Sequence, residues 1–303
     1  MSITTPPLKG KIAVVAGATR GAGRGIAVGL GEAGATVYCT GRSVRGALAS
    51  GDQRPETIEE TAEMVTARGG VGIAVRCDYT DPAQVEALFA RVAQEHGHLD
   101  ILINDIWGGE RFIQFGVPFW ETDYRFLPVM LERALLTHLY AARYAVPLML
   151  PRRSGLIVEV TDGGTPDVAI GKFAYRGMLW YDILKNAVIR AAFGMAEELK
   201  PHGITALAVT PGFLRSEEML DLFGVTEANW KDATQTEPHF IASETPYFVG
   251  RGVAALAADP HLFDRTGGVY SSWGLSDDYG FSDVDGSRPH WGRYFAQNVL
   301  PNA

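Results

Sequence analysis

Tyr181 and Lys185 lie four residues apart in an apolar, helix-like stretch, which puts them on one face of a helix. A phenol ordinarily titrates near 10. An ammonium beside it favours the phenolate and brings the group toward neutrality, where it can exchange a proton with a substrate oxygen. The pair therefore predicts acid–base chemistry, with Lys185 also able to bond a ribose hydroxyl. A Y-x-x-x-K spacing is common by itself, so its weight comes from the motifs that precede it.

The first of these is the run 14–23, with glycines at Gly17, Gly21 and Gly23 and with Thr19 and Arg20 between them. It follows an apolar strand-like run and opens a helix-like one. A pyrophosphate needs close backbone approach and the free N–H groups of a helix N-terminus, and this placement offers both. The next strand ends at Gly41-Arg42-Ser43 rather than at an acid. An acid there would bond a ribose 2′-hydroxyl, whereas Arg42, helped by Arg20, suits a 2′-phosphate. The expected cofactor is NADP(H), ahead of NAD(H). Asp78, at the end of the third strand, is placed to accept from an adenine amino group. Asn104, ending the fourth, is expected to tie that strand to a neighbour under the cofactor. Pro211-Gly212 and Ser216 follow the sixth strand, where a close turn and a hydroxyl could meet a carboxamide.

These motifs sit on an alternation of strands and helices. Strands are expected at 12–16, 36–40, 72–77, 99–104, 156–160, 204–209 and 268–272. Helices are expected at 26–32, 56–67, 81–94, 181–199 and 246–258. The pattern predicts α/β architecture: a single Rossmann-type doubly wound parallel sheet of about seven strands, with helices on both faces and one domain over 1–303. Two segments break the rhythm. Residues 105–127 are crowded with aromatics, and 213–245 form a long connection, so both are expected to flank the substrate, with Trp107 near the reacting end. A C-terminal extension begins at about 274 and is expected to pack on the domain or on a neighbouring subunit.

Composition narrows the function. The 303 residues carry a net charge of −8, which argues against nucleic acid as the main partner. No apolar run reaches the ~18 residues of a membrane span. Cys39 and Cys77 lie in apolar strand-like runs and are expected to be buried, reduced thiols of a cytoplasmic protein. The seven histidines show no metal-ligand spacing, so no metal is expected.

In this order, the motifs resemble the short-chain dehydrogenase/reductase family over roughly residues 8–273. The resemblance implies a nicotinamide cofactor, a small-molecule carbonyl or alcohol substrate and a homodimer or homotetramer. It makes Gly17, Gly21 and Gly23 the cofactor turn, Asp78 the adenine-side acid, and Asn104 the first residue of the family's N-N-A-G motif. Tyr181 and Lys185 become the catalytic pair. Pro211, Gly212 and Ser216 match the family's P-G-x-x-x-T segment.

Three departures stand out. N-N-A-G is replaced by Asn104-Asp105-Ile106-Trp107. The helix that normally offers a catalytic asparagine has none between 121 and 150. After the fifth strand, Asp162 occupies the place of the catalytic serine, with Thr161 before it, and the 19-residue step to Tyr181 implies an insertion in 163–180. An ionised Asp162 would repel an oxygen that gains negative charge. Asp162 is therefore expected to be protonated and donating, or else turned away with Thr161 or Thr165 assisting Tyr181. Two rival readings stay open. One is a cofactor-binding sensor or scaffold without turnover. The other is a non-redox dehydratase or isomerase using Tyr181 and Asp162.

Overall fold

The computed structural model describes residues 6–47, 54–162, 164–165, 167–168 and 174–300. Its strands are β1 (Ile12–Ala16), β2 (Thr36–Gly41), β3 (Val71–Arg76), β4 (Ile101–Asn104), β5 (Gly155–Val160), β6 (Ile204–Thr210) and β7 (Val269–Ser271). They form one seven-stranded sheet in the order β3-β2-β1-β4-β5-β6-β7, and every pairing is parallel. This is the doubly wound fold expected from the alternation. The order reverses between β1 and β4, which opens a crevice at the carboxyl ends of the strands, where such sheets take ligands.

The strands read as continuous apolar runs because both faces are covered. In β1, Ala13 and Val15 enter one core with α1 (Gly21–Glu32), α2 (Ile58–Ala67) and α8 (Pro246–Ala257). Ile12, Val14 and Ala16 enter the other, with α3 (Pro82–His96), α5 (Thr137–Met149) and α6 (Leu179–Leu199). The α1–α8 contact is backbone-close: a Cβ on Gly25 would lie 1.8 Å from the Pro246 carbonyl oxygen. Only glycine permits that approach, and it fixes where the N-terminus of α1 points.

Element ends differ from expectation for local reasons. Thr57 is the N-cap of α2, its side chain accepting from Glu60 N–H, so Glu56 stays outside the helix. Asp81 caps α3 and Pro82 opens it, and the helix runs on to a left-handed stop at Gly97. α6 begins two residues before Tyr181. The stretch 127–149, left unassigned by periodicity, is helical: α4 (Leu127–Leu131), a π-turn at Glu132–Leu136, then α5. The connection 213–245 carries α7 (Glu217–Leu222) and 3₁₀ turns, and the tail carries α9 (Ser272–Tyr279) and α10 (Trp291–Tyr294). Cys39 and Cys77 are buried free thiols. Among the described residues no helix is long and apolar enough to cross a membrane, and no cluster could hold a metal ion.

Candidate active site

A cleft of about 690 Å³ opens along the carboxyl ends of the strands. Its near wall is the turn from β1 into α1. Gly17 takes φ +88°, and a Cβ there would lie 2.2 Å from the Asp105 carbonyl oxygen, so the turn presses onto the loop that leaves β4. Gly21 takes φ +57°, a Cβ there would touch Ser216 Cβ at 3.8 Å, and its amide donates to Glu217 Oε2 at 2.8 Å. Gly23 lies off the cleft, holding the turn closed: a Cβ would meet Gly17 O at 2.2 Å. Thr19, Arg20, Arg42 and Asp78 continue the wall. Arg20 pairs with Glu56 at 3.4 Å. Asp78 accepts from the Thr80 amide and hydroxyl, at 3.0 and 2.7 Å, which orients it.

On the opposite wall Tyr181, Lys185, Thr161 and Asp162 come together. The Tyr181 hydroxyl donates to Asp162 Oδ2, and Arg176 Nη2 donates to Asp162 Oδ1 at 2.6 Å. Burial pushes Asp162 up, but Arg176, then Lys185 and the Tyr181 hydroxyl, more than reverse this, so it sits below the ordinary carboxylate range. It is a carboxylate, not the protonated donor expected from sequence, because the inserted segment brings a guanidinium to it. Tyr181 moves the other way. Burial first, then the Asp162 charge, raises it above the usual phenol value. Lys185 does not bring it down: its Nζ lies 4.1 Å from the Trp107 ring centroid and 5.5 Å from that of Tyr181. Burial lowers Lys185 despite nearby acids. The Thr161 hydroxyl donates to the Lys185 backbone carbonyl at 2.8 Å, so it pins α6 to β5.

Asn104 is fully buried beneath the cleft. Its Nδ2 donates to Glu159 Oε1 at 2.7 Å and to the His138 carbonyl at 3.3 Å. It therefore ties β4 to its neighbours through a side chain and a helix carbonyl, not through strand backbone. Glu159 Oε2 meets His138 Nδ1 at 2.5 Å, and His138 Nε2 meets the Ile106 carbonyl at 2.8 Å. A carbonyl can only accept, so Nε2 carries a proton. Burial opposes the imidazolium, but Glu159 and then Ile106 outweigh it, and His138 is raised. Asp105 is hydrogen-bonded by the Gly23 amide, and burial pushes its carboxyl up to about 7.

The substrate end is aromatic. Trp107 and Phe115 meet the Tyr181 ring edge-on, each at 5.5 Å. Phe112 stacks on Phe126, and Phe119, Trp120 and Tyr124 are exposed away from the reacting group. In 213–245 most aromatics pack on Phe240, and Phe213 reaches the cleft. The tail supplies Trp273 and Trp291. Trp273 Nε1 donates to Asp167 at 2.9 Å, so the tail grips the insertion after β5. Asp283 accepts from the Thr245 amide at 2.9 Å and from its hydroxyl at 2.5 Å, which anchors the tail beside α8.

Of the residues singled out from sequence, the cleft gathers Gly17, Thr19, Arg20, Gly21, Arg42, Asp78, Thr161, Asp162, Tyr181, Lys185, Pro211, Gly212 and Ser216. It leaves Gly23 and Asn104 behind its wall. Ser216 also caps α7, its hydroxyl accepting from Met219 N–H at 3.3 Å. Sequence reasoning missed Arg176, which carries no motif, and Trp273 and Trp291. It also missed the Glu159–His138 pair, although an acid inside a buried strand was a usable signal.

The fold and the sequence are shared, in part, with known proteins. Residues 11–223 match the family model described as short chain dehydrogenase. The chain belongs to the short-chain dehydrogenase/reductase family and is an oxidoreductase of that family. It is 34% identical over 285 residues to mouse dehydrogenase/reductase SDR family member 1, covering 92% of this chain and 85% of that protein. It is 29% identical to the 3-oxoacyl-(acyl-carrier-protein) reductase FabG of Vibrio harveyi, over 87% of this chain and 98% of that one. Among solved structures, a short-chain dehydrogenase from Mycobacterium thermoresistibile superposes with TM-score 0.74 at 20% identity, covering 94% of this chain and 92% of that one.

Proposed function

We propose that the protein is an NADP(H)-dependent oxidoreductase that interconverts a carbonyl and an alcohol on a small to medium, partly apolar substrate. Tyr181 is the acid/base, and Lys185 assists it. The observation that carries this reading is the convergence of the glycine turn, Tyr181 and Lys185 on one cleft. The residues fit a dinucleotide: Gly17 and Gly21 line the cleft at the N-terminus of α1 without a side chain, and a pyrophosphate would take the Gly21 amide that otherwise donates to Glu217 Oε2 at 2.8 Å. Arg42, on the same wall, forms no ion pair among the described residues, which leaves it able to pair with a 2′-phosphate. Asp78 would meet the adenine, and Pro211, Gly212 and Ser216 the nicotinamide.

The bound nicotinamide supplies or accepts the hydride. The chain's own residues handle the proton. Tyr181 is a protonated phenol at neutral pH and gives its proton to the substrate oxygen during reduction. Lys185, held against Trp107, keeps a positive charge near the oxygen left on Tyr181. Trp107, Phe115, Trp273 and Trp291 exclude water from the reacting face. Two buried free thiols suit a reducing compartment, in keeping with a cytoplasmic enzyme. Exposed Leu139 on α5 and exposed Ile183 and Phe193 on α6 support a homodimer or homotetramer.

The test is absorbance at 340 nm over a panel of aliphatic and aromatic carbonyls with NADPH, and of alcohols with NADP⁺. Turnover lost in Tyr181→Phe supports the reading. Tight NADPH binding with a silent panel would point to a cofactor-binding protein without turnover. Substrate loss at constant absorbance would point to a dehydratase or isomerase.

A further inference from the structure

Asp162 cannot do what a serine hydroxyl does. As a carboxylate it only accepts, so it gives a developing oxyanion nothing. Two donors converge on it instead: Tyr181 on Oδ2 and Arg176 on Oδ1. Arg176 comes from the inserted segment, and its backbone N–H is fixed by Asp182 Oδ1 at 3.1 Å, in the first turn of α6. Both donors line the cleft. The guanidinium has five N–H donors, and Arg176 Nε is buried with no hydrogen-bond partner. The guanidinium of a cleft-lining residue thus keeps N–H groups that the described residues do not satisfy, which leaves it able to donate to a ligand.

We propose that Arg176 replaces the missing serine as the second donor to the substrate oxygen, with Asp162 serving to hold it beside Tyr181. The assignment rests on the hydride-transfer reading above. In reduction, hydride adds to the carbonyl carbon and forms the new C–H bond. The C=O π pair moves onto oxygen, which takes the Tyr181 proton and becomes the alcohol hydroxyl. The reduced nicotinamide is oxidised, and solvent returns the proton to Tyr181. Arg176 keeps its protons throughout and donates a hydrogen bond to the oxygen while its charge grows. The Asp162–Arg176 pair is neutral as a whole, which removes the repulsion a lone carboxylate would exert.

The experiment compares Asp162→Asn, Arg176→Met and the double variant with the parent enzyme. It reads kcat and KM for the best carbonyl of the panel and NADPH affinity by fluorescence. Arg176→Met should lower kcat/KM about 100-fold, the scale of a lost oxyanion donor, with NADPH affinity within twofold of the parent. The decisive comparison is made without the charge at 162. If Arg176 donates to substrate, the double variant stays at least tenfold slower than Asp162→Asn alone. If Arg176 only neutralises Asp162, the two have equal rates, and the assignment falls while hydride transfer stands. Arg176→Ala, which removes every side-chain donor, carries the same comparison if Arg176→Met does not fold. A parent enzyme that turns over no carbonyl would overturn hydride transfer and this assignment together.

Discussion

The Tyr181 hydroxyl donates to the carboxylate of Asp162, a residue 19 positions earlier in the chain. The phenol of this site is therefore held by an anion. The lysine one helical turn away, which on sequence grounds would lower it, instead lies over the Trp107 ring. Burial and Asp162 together raise the Tyr181 phenol above its ordinary value.

The sign of that shift decides the pH dependence. A phenol raised above about 10 stays protonated from pH 6 to 9. Reductive kcat should carry no Tyr181 limb in that range. Removing the charge with Asp162→Asn or Asp162→Ser should move Tyr181 down. Reduction would then fall, and oxidation rise, on the alkaline side. This inverts the expectation from sequence, in which a protonated Asp162 would make the parent's reductive rate fall with pH. Titration of ¹³Cζ-labelled tyrosine, with Tyr181→Phe to assign the signal, reads the shift directly. An identical Tyr181 titration in parent and Asp162→Asn would exclude the coupling.

Cofactor choice rests on Arg42, since Arg20 is engaged by Glu56. NADPH should bind at least tenfold more tightly than NADH, a difference of about 1.4 kcal/mol. Arg42→Ala should remove most of that gap and leave NADH affinity nearly unchanged. Equal affinities in the unmutated protein, measured by fluorescence titration, would refute the reading.

Trp107 touches both members of the proposed pair, with Lys185 Nζ over its ring and Tyr181 at its edge. A desolvated cation–π contact is worth about 2 kcal/mol, roughly a thirtyfold effect. Trp107→Leu should therefore lower kcat tenfold or more, with NADPH affinity within threefold. Weakened NADPH binding at unchanged kcat would place Trp107 in the cofactor site instead.

The buried Glu159–His138 pair should be structural. His138 is raised in the fold, so its stabilising contribution is complete below about pH 6.5 and is lost as pH rises through its folded value. His138→Leu leaves a buried, uncompensated carboxylate and should cost about 3–5 kcal/mol in urea unfolding at pH 6. His138→Leu with Glu159→Leu should cost less than the single change. A single change costing under ~1 kcal/mol would mean that the pair holds little together.

The cofactor half of the cleft was legible because its demands are local. A glycine turn after a strand, an arginine ending β2 and a Y-x-x-x-K pair are each specified within a few residues. The seven strands were legible for the same reason, as runs buried on both faces. The substrate half was not legible, because its residues meet across long separations. Arg176 meets Asp162 only through the fold of an insertion, and Trp273 meets Asp167 across 106 positions. The charge state of Asp162 was misjudged because its neutralising partner had no signature. The helical stretch 127–149 went unassigned by periodicity because a π-turn shifts its apolar stripe midway, and only the family resemblance put a helix there.

Trp273 and Trp291 line the cleft from beyond residue 223, where the match to the family model ends. The chain thus divides its labour along its length. The first 223 residues carry the glycine turn, Tyr181 and Lys185, and the last part of the chain adds α8 behind α1 and two tryptophans to the cleft. Gly25 of α1 against Pro246 of α8, Arg251 on Glu32 and Trp273 on Asp167 are among the fastenings between these parts. A lineage could change Trp273 and Trp291, and so reshape the space they border, while leaving α8 and the glycine turn it supports in place.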